Sequence, residues 1–163
     1  TDSSAASDVY KRQMNKGQSS PKWERLVVTV DSGAAESVMP KEVCEQYAIQ
    51  DTQASLSGVN YVGAEGTKIP NLGERVIGAV SNDGMTSQMR FQVCPVTKAL
   101  GSVSRMTQGG NRVVFDSADS YGGSYIQNKI TGHKIYMRQE NGVYVIDMWA
   151  MPADQASGFT RPA

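Results

Sequence analysis

Short apolar runs broken by turn residues recur along this chain, and they predict strands far more often than helices. The first is Leu26-Val27-Val28-Thr29-Val30, a β-branched run that stops abruptly on Asp31-Ser32-Gly33-Ala34. Val and Thr fit a pleated, half-buried strand, and Asp-Ser-Gly then marks a sharp turn. Ser37-Val38-Met39 reads as a short strand. Pro40 opens an expected helical turn over 41–47, with Pro and Glu42 where helix N-termini favour them. Residues 49–57 read as loop. Val59 to Ile69 alternates around Gly63 and Gly66, which predicts a glycine-tipped hairpin. Gly73 to Val80 and Met85 to Val93 form a second, longer hairpin across Asn82-Asp83-Gly84, a strong turn signal.

Beyond it, Ser102 is placed to cap a short helix with Val103 and Met106 on one face. Gly109-Gly110 ends that helix, and Arg112-Val113-Val114-Phe115 follows as a strand. Residues 117–124 read as loop. Three more short strands are expected at 124–127, 134–137 and 143–148, the last two separated by the turn Glu140-Asn141-Gly142. The expected fold is mostly β, a closed barrel with one or two short helices followed by a short β meander. Four segments are expected: a disordered or artefactual leader at 1–22, a folded domain at 23–116, a meander at 117–150 and a loose tail at 151–163. Within the leader, Ser3 to Gln13 looks like a translated cDNA-adapter sequence.

Composition narrows the function. The 163 residues carry 16 Lys plus Arg against 16 Asp plus Glu, so net charge gives no case for direct nucleic-acid binding. No apolar run is long enough to cross a bilayer, and no membrane partner is expected. Cys44 and Cys94 cannot build a disulfide framework and read as core positions, which fits a reducing, intracellular setting. His133 has no Cys or His at ligand spacing and no adjacent nucleophile signature, so neither a metal site nor a cofactor is expected.

Three elements, in order, resemble the retropepsins, the aspartic proteases of retroviruses and retrotransposons. They are the apolar strand running into Asp31-Ser32-Gly33-Ala34, the hairpin Val62-Gly63-Ala64-Glu65-Gly66-Thr67-Lys68-Ile69, and Ala99-Leu100-Gly101 leading into a short helix. The match covers about residues 24–116. The stretch from Ser102 to Asp116 is similar to Copia-type retrotransposon polyproteins, and Glu140 to Val145 resembles the region such polyproteins carry before integrase.

The resemblance implies a retropepsin-like barrel and an aspartic endopeptidase of a Gag-Pol-type polyprotein. It would work in the cytoplasm or inside virus-like particles. Asp31 would be catalytic, supported by Ser32, Gly33 and Ala34. Gly63, Ala64, Glu65, Gly66 and Thr67 would form a flap over an extended peptide, and Leu100 and Gly101 would be structural. The strand at 112–115 would lie at a dimer interface. Ser102 stands where the family commonly has a charged residue, which implies a weaker dimer or helix cap. Glu65 and Lys68 replace the apolar flap tip that would press on substrate.

Carboxylate-driven peptide hydrolysis needs two carboxyl groups, one to take a proton from water and one to give a proton to the carbonyl. A homodimer supplies both by placing two copies of Asp31 at its axis. Val113-Val114-Phe115-Asp116-Ser117-Ala118 echoes the Asp31 motif, but Ala118 replaces the glycine and each half is too short for a lobe. Two other readings stand beside the protease: a catalytically dead barrel serving as an interaction or structural module, and a nucleic-acid-binding fragment, which the zero charge disfavours.

Overall fold

Leu26, Val28 and Val30 alternate along one face of β1, Glu24–Asp31, and all three are buried in the main core. Each side chain removed from water in this way is worth roughly 1.5–3 kcal/mol. The structure, a computed structural model, describes residues 22–119 and 121–156. The leader at 1–21 and the tail beyond 156 therefore lie outside the described residues. After β1 come β2 (Val38–Met39), α1 (Gln53–Leu56), β3 (Asn60–Val62), β4 (Lys68–Pro70), β5 (Gly73–Ser81) and β6 (Thr86–Val93). They are followed by β7 (Ala99–Ser102), α2 (Val103–Gln108), β8 (Asn111–Val114), β9 (Tyr125–Asn128), β10 (Lys134–Tyr136), β11 (Arg138–Glu140) and β12 (Val143–Ala150).

Six strands close a barrel in the order β1-β7-β2-β6-β5-β12, with β12 returning to pair with β1. The protein is mostly β, as its pattern of apolar runs predicts, with two short helices among the described residues. β1 is parallel to β7, with Val28 opposite Ala99 and Asp31 opposite Ser102. It is antiparallel to β12, from Glu24 opposite Ala150 to Thr29 opposite Val145. β3 pairs with β4 as a separate hairpin, and β10-β9-β8 form a three-stranded sheet. Ile126 of that sheet joins the main core, and Val113 and Ile135 pack against it.

Several boundaries move. Asp116 does not end the barrel: β12, expected in a meander outside the domain, sits between β1 and β5 and buries Ile146, Met148 and Ala150. Its apolar residues complete a face that β1 and β5 would otherwise leave open. Nor is the start of the expected loose tail loose. The Met151 amide donates to the Gly78 carbonyl at 2.9 Å, the Tyr47 hydroxyl donates to the Met151 carbonyl at 2.8 Å, and Ala156 is buried. The strand at 112–115 is present as β8, and one of its edges is taken by β9. The loop expected at 49–57 contains α1, held by a capping box in which Thr52 and Ser55 bond each other's backbone amides.

The helical turn expected over 41–47 is not a helix. The backbone passes through a positive φ at Cys44, whose amide donates to Glu24 at 2.9 Å. The carbonyls a helix would use internally turn instead to buried Arg75. Its guanidinium donates to Lys41, Val43 and Tyr47 carbonyls at 2.8–2.9 Å. The sequence offers the propensity, and a distant arginine outbids it.

On the barrel's outer surface Asp147 joins β12 to β1 and β11. It accepts from Arg25 at 3.0 Å and from Arg138 at 2.6 and 3.1 Å. The Arg138 hydrogen bond, more than any other contact, holds the Asp147 carboxyl below its ordinary range.

Two predictions follow from the closure. A chain ending at Asp116 should not fold, because β1 loses its antiparallel partner; circular dichroism and amide exchange of β1 report it. Asp147→Asn should cost about 1 kcal/mol at neutral pH. Because the native carboxyl is lowered, that contribution is complete above the ordinary carboxylate range and fades as pH falls through the native value. Urea unfolding of both proteins across acid pH should therefore converge.

Candidate active site

β1 ends where its apolar alternation ends, and Asp31 is its last residue. Beyond it Ser32 and Gly33 are exposed and Ala34 is half-buried. The Gly33 amide donates to Asp31 Oδ1 at 2.7 Å, a short bond to a charged acceptor. A β-carbon at Gly33 would lie 3.3 Å from that same oxygen. Gly33 is therefore suited to close approach. Its backbone is not among the positive-φ glycines, so the turn does not draw on left-handed freedom at this position.

The loop is braced from behind. Ser102, at the end of β7, is fully buried. Its hydroxyl donates to the Ala34 carbonyl at 2.7 Å and accepts from the Arg105 amide at 3.2 Å, capping α2. Its amide donates to Ser37 Oγ at 2.9 Å. One small residue thus ties the Asp31 loop to the start of α2, through its hydroxyl at Ala34 and its backbone amide at Ser37, where the resemblance implied a weakened cap. Arg105 adds a second brace. Its guanidinium grips Glu36 through two contacts, one of them 2.9 Å from Nε. This pair, 69 residues apart in sequence, carries no local signal and went unforeseen.

Leu100 and Gly101 sit in β7 opposite Thr29 and Val30. A β-carbon on Gly101 would come 2.7 Å from Met106 Cε and 3.1 Å from Val28 Cγ1. The glycine lets β7 and α2 pack directly on β1.

Gly63, Ala64, Glu65, Gly66 and Thr67 form the tip between β3 and β4, closed by hydrogen bonds from Gly63 to Thr67 and from Gly66 to Gly63, both 2.9 Å. Ala64, Glu65, Gly66 and Thr67 are exposed, while Tyr61 and Ile69 are half-buried on the hairpin's inner side. Asn71 donates to the Tyr61 hydroxyl at 3.1 Å and to Gln92 at 3.0 Å. Burial raises the Tyr61 hydroxyl pKa. Tyr61 shares a cavity of about 910 Å³ with Glu36, Ser37 and Arg105. The hairpin base and the Asp31 loop's far end therefore meet on one cavity, although Asp31 and the hairpin tip do not line it.

No family model matches the chain, and none of the curated proteins or solved structures compared with it matches either.

Other chemistries find little footing. Cys44 and Cys94 are buried, and burial pushes their thiols up to about 12 and about 11, far from a reactive thiolate. His133 lies exposed in its turn. Among the described residues, no cluster of three or more His, Cys, Asp or Glu is arranged to hold a metal ion, and no helix is long and apolar enough to cross a membrane. Asp116, the echo of Asp31, follows β8, and its backbone is tied to Ser124, just before β9 of the same sheet, with the amide donating at 2.8 Å.

Replacing Ser102 with alanine should cost about 1–2 kcal/mol through the lost cap and the stranded Ala34 carbonyl. Amide exchange should quicken at Gly33 and Arg105 before it does in β5; equal loss across the barrel would contradict the bracing role.

Proposed function

We propose that this chain is one subunit of an aspartic endopeptidase of the retropepsin kind, cutting extended segments of a retrotransposon Gag-Pol-type polyprotein. The observation that carries the reading is the presentation of Asp31. Its carboxylate ends a strand paired on both edges, accepts the Gly33 amide on one oxygen, and heads an exposed loop. A loop so braced can meet its own copy across a two-fold axis without rearranging. Two carboxyls side by side hold one proton between them. The ionised Asp31 takes a proton from water, which attacks the peptide carbonyl carbon. The protonated partner gives its proton to the carbonyl oxygen, forming a tetrahedral diol. As its C–N bond breaks, Asp31 passes the proton it took from water to the departing nitrogen and a diol hydroxyl returns its proton to the partner, leaving acid and amine. The β3–β4 hairpin covers the peptide, shutting out bulk solvent around the one attacking water.

One observation favours the second reading, a barrel that has lost catalysis and serves as an interaction module. β8, the strand assigned to the dimer, already gives one edge to β9. It stands at the edge of its described sheet, so its other edge remains available to a partner.

Asp31→Asn should lower cleavage of a denatured protein substrate by a hundredfold or more, roughly the worth of acid–base catalysis. The variant should keep the wild-type sedimentation profile. Unchanged cleavage would end the aspartic mechanism. A wild-type chain that stays monomeric at high concentration and cuts nothing would favour the interaction module.

A further inference from the structure

β6 is covered on one edge only. Along its whole length it pairs with β5, from Gly73 opposite Val93 to Val80 opposite Thr86, with no bulge. On the other side β2 reaches only Gln92 and Val93. From Thr86 to Phe91 no described strand lies beside it. The direction of its free groups follows from parity. The Gln92 amide donates outward to Ser37 at 2.8 Å and the Cys94 amide to Met39 at 3.0 Å. In an antiparallel ladder the residues facing one neighbour alternate. The N–H and C=O groups of Gln88 and Arg90 therefore point to the same side as those of Gln92, where β2 has ended.

That side opens on the 910 Å³ cavity. Its floor is apolar, with Phe91, Ile146 and Met148 from the barrel, Met106 from α2, and Ile126 and Ile135 from the three-stranded sheet. Its polar rim is electrically balanced, because Arg90 is paired with Glu74 and Arg105 with Glu36. A cavity of this size lies within the range of ligand sites, about 300–1,000 Å³.

We infer that the open edge of β6 takes an extended peptide as an added strand, with alternate apolar side chains set into the Met- and Ile-lined floor. The backbone of Gln88 and Arg90 supplies the hydrogen bonds, and the floor supplies side-chain preference, the two parts of strand addition. The balanced rim selects an uncharged, apolar–polar alternating segment over an acidic or basic one. Flexible methionine side chains suit a floor that accepts several apolar residues. The site shares Glu36 and Ser37 with the far end of the Asp31 loop but does not include Asp31, and it does not depend on the chain being a protease.

The probe is a short synthetic peptide alternating valine and threonine, with both ends blocked so that it carries no charge, added to the full chain. It should slow exchange of the Arg90 amide by about tenfold or more, leaving the Met89 and Phe91 amides, already facing β5, unchanged. The same peptide N-methylated at alternate residues should give no protection. Gln88→Pro removes an amide that only the open edge uses, a substitution that edge strands tolerate. It should weaken peptide binding about tenfold or more. Binding that survives backbone N-methylation would overturn the proposal. So would a fatty acid that fills the cavity and displaces the peptide without protecting Arg90. Because the N-methylated peptide is tested on the wild-type chain, the outcome does not hinge on Gln88→Pro folding.

Discussion

The position of β1 between a parallel and an antiparallel neighbour is the constraint on which the rest of this protein depends. Backbone hydrogen bonds to β7 and β12 consume both edges, and Leu26, Val28 and Val30 anchor one face in the core. A strand held this way has no freedom to slip, since a shift of one residue would turn its apolar set outward. The position of Asp31 is therefore set by packing eight residues long rather than by its own turn. The loop after it needs only local fastening, which Ser102 and the Glu36–Arg105 pair provide.

The same constraint explains why chain order and space diverge. β12 comes last yet pairs with the first strand, so the barrel spans nearly the whole described chain. Buried Arg75 of β5 plays a matching part, since its guanidinium satisfies carbonyls of the 40–47 segment that would otherwise be stranded. Charge-assisted hydrogen bonds of this sort are costly to leave half-made. They order a segment without requiring it to be helical.

What the residues disclosed in advance was local, and what they hid was distant. The β-branched run of β1, the Asn82-Asp83-Gly84 and Asn141-Gly142 turns, the Ser102 cap and the glycine-tipped hairpin all depend on neighbours within a few positions. Each is found in the structure. The helical turn at 41–47 was misjudged because Arg75 lies some thirty residues away. The break after Asp116 was misjudged because a polar loop looks the same whether it ends a domain or connects two strands of it. In the candidate site, Asp31, Gly33 and Gly101 were legible from the motif, whereas Glu36 and Arg105 were not. An ion pair across 69 residues leaves no periodicity to read.

The open edge of β6 belongs with these distant features, because strand length shows in a sequence and the shortness of a neighbour does not. Met85 to Val93 reads as one long strand, and it is one. Its exposure arises because β2 is only two residues long and reaches no farther than Gln92 and Val93. Unpaired edges invite association unless they are shielded, and Arg90 at the rim supplies the charged side chain that limits it. Gln88, by contrast, carries no charge, and the floor beneath is methionine and isoleucine rather than a filled core. An edge guarded against indiscriminate pairing but backed by an apolar cavity is suited to a specific strand, and it lies on the cavity that Glu36 and Tyr61 also line. A peptide seated there would run toward the Asp31 loop's own support, so binding at β6 and the order of that loop are joined through the same side chains.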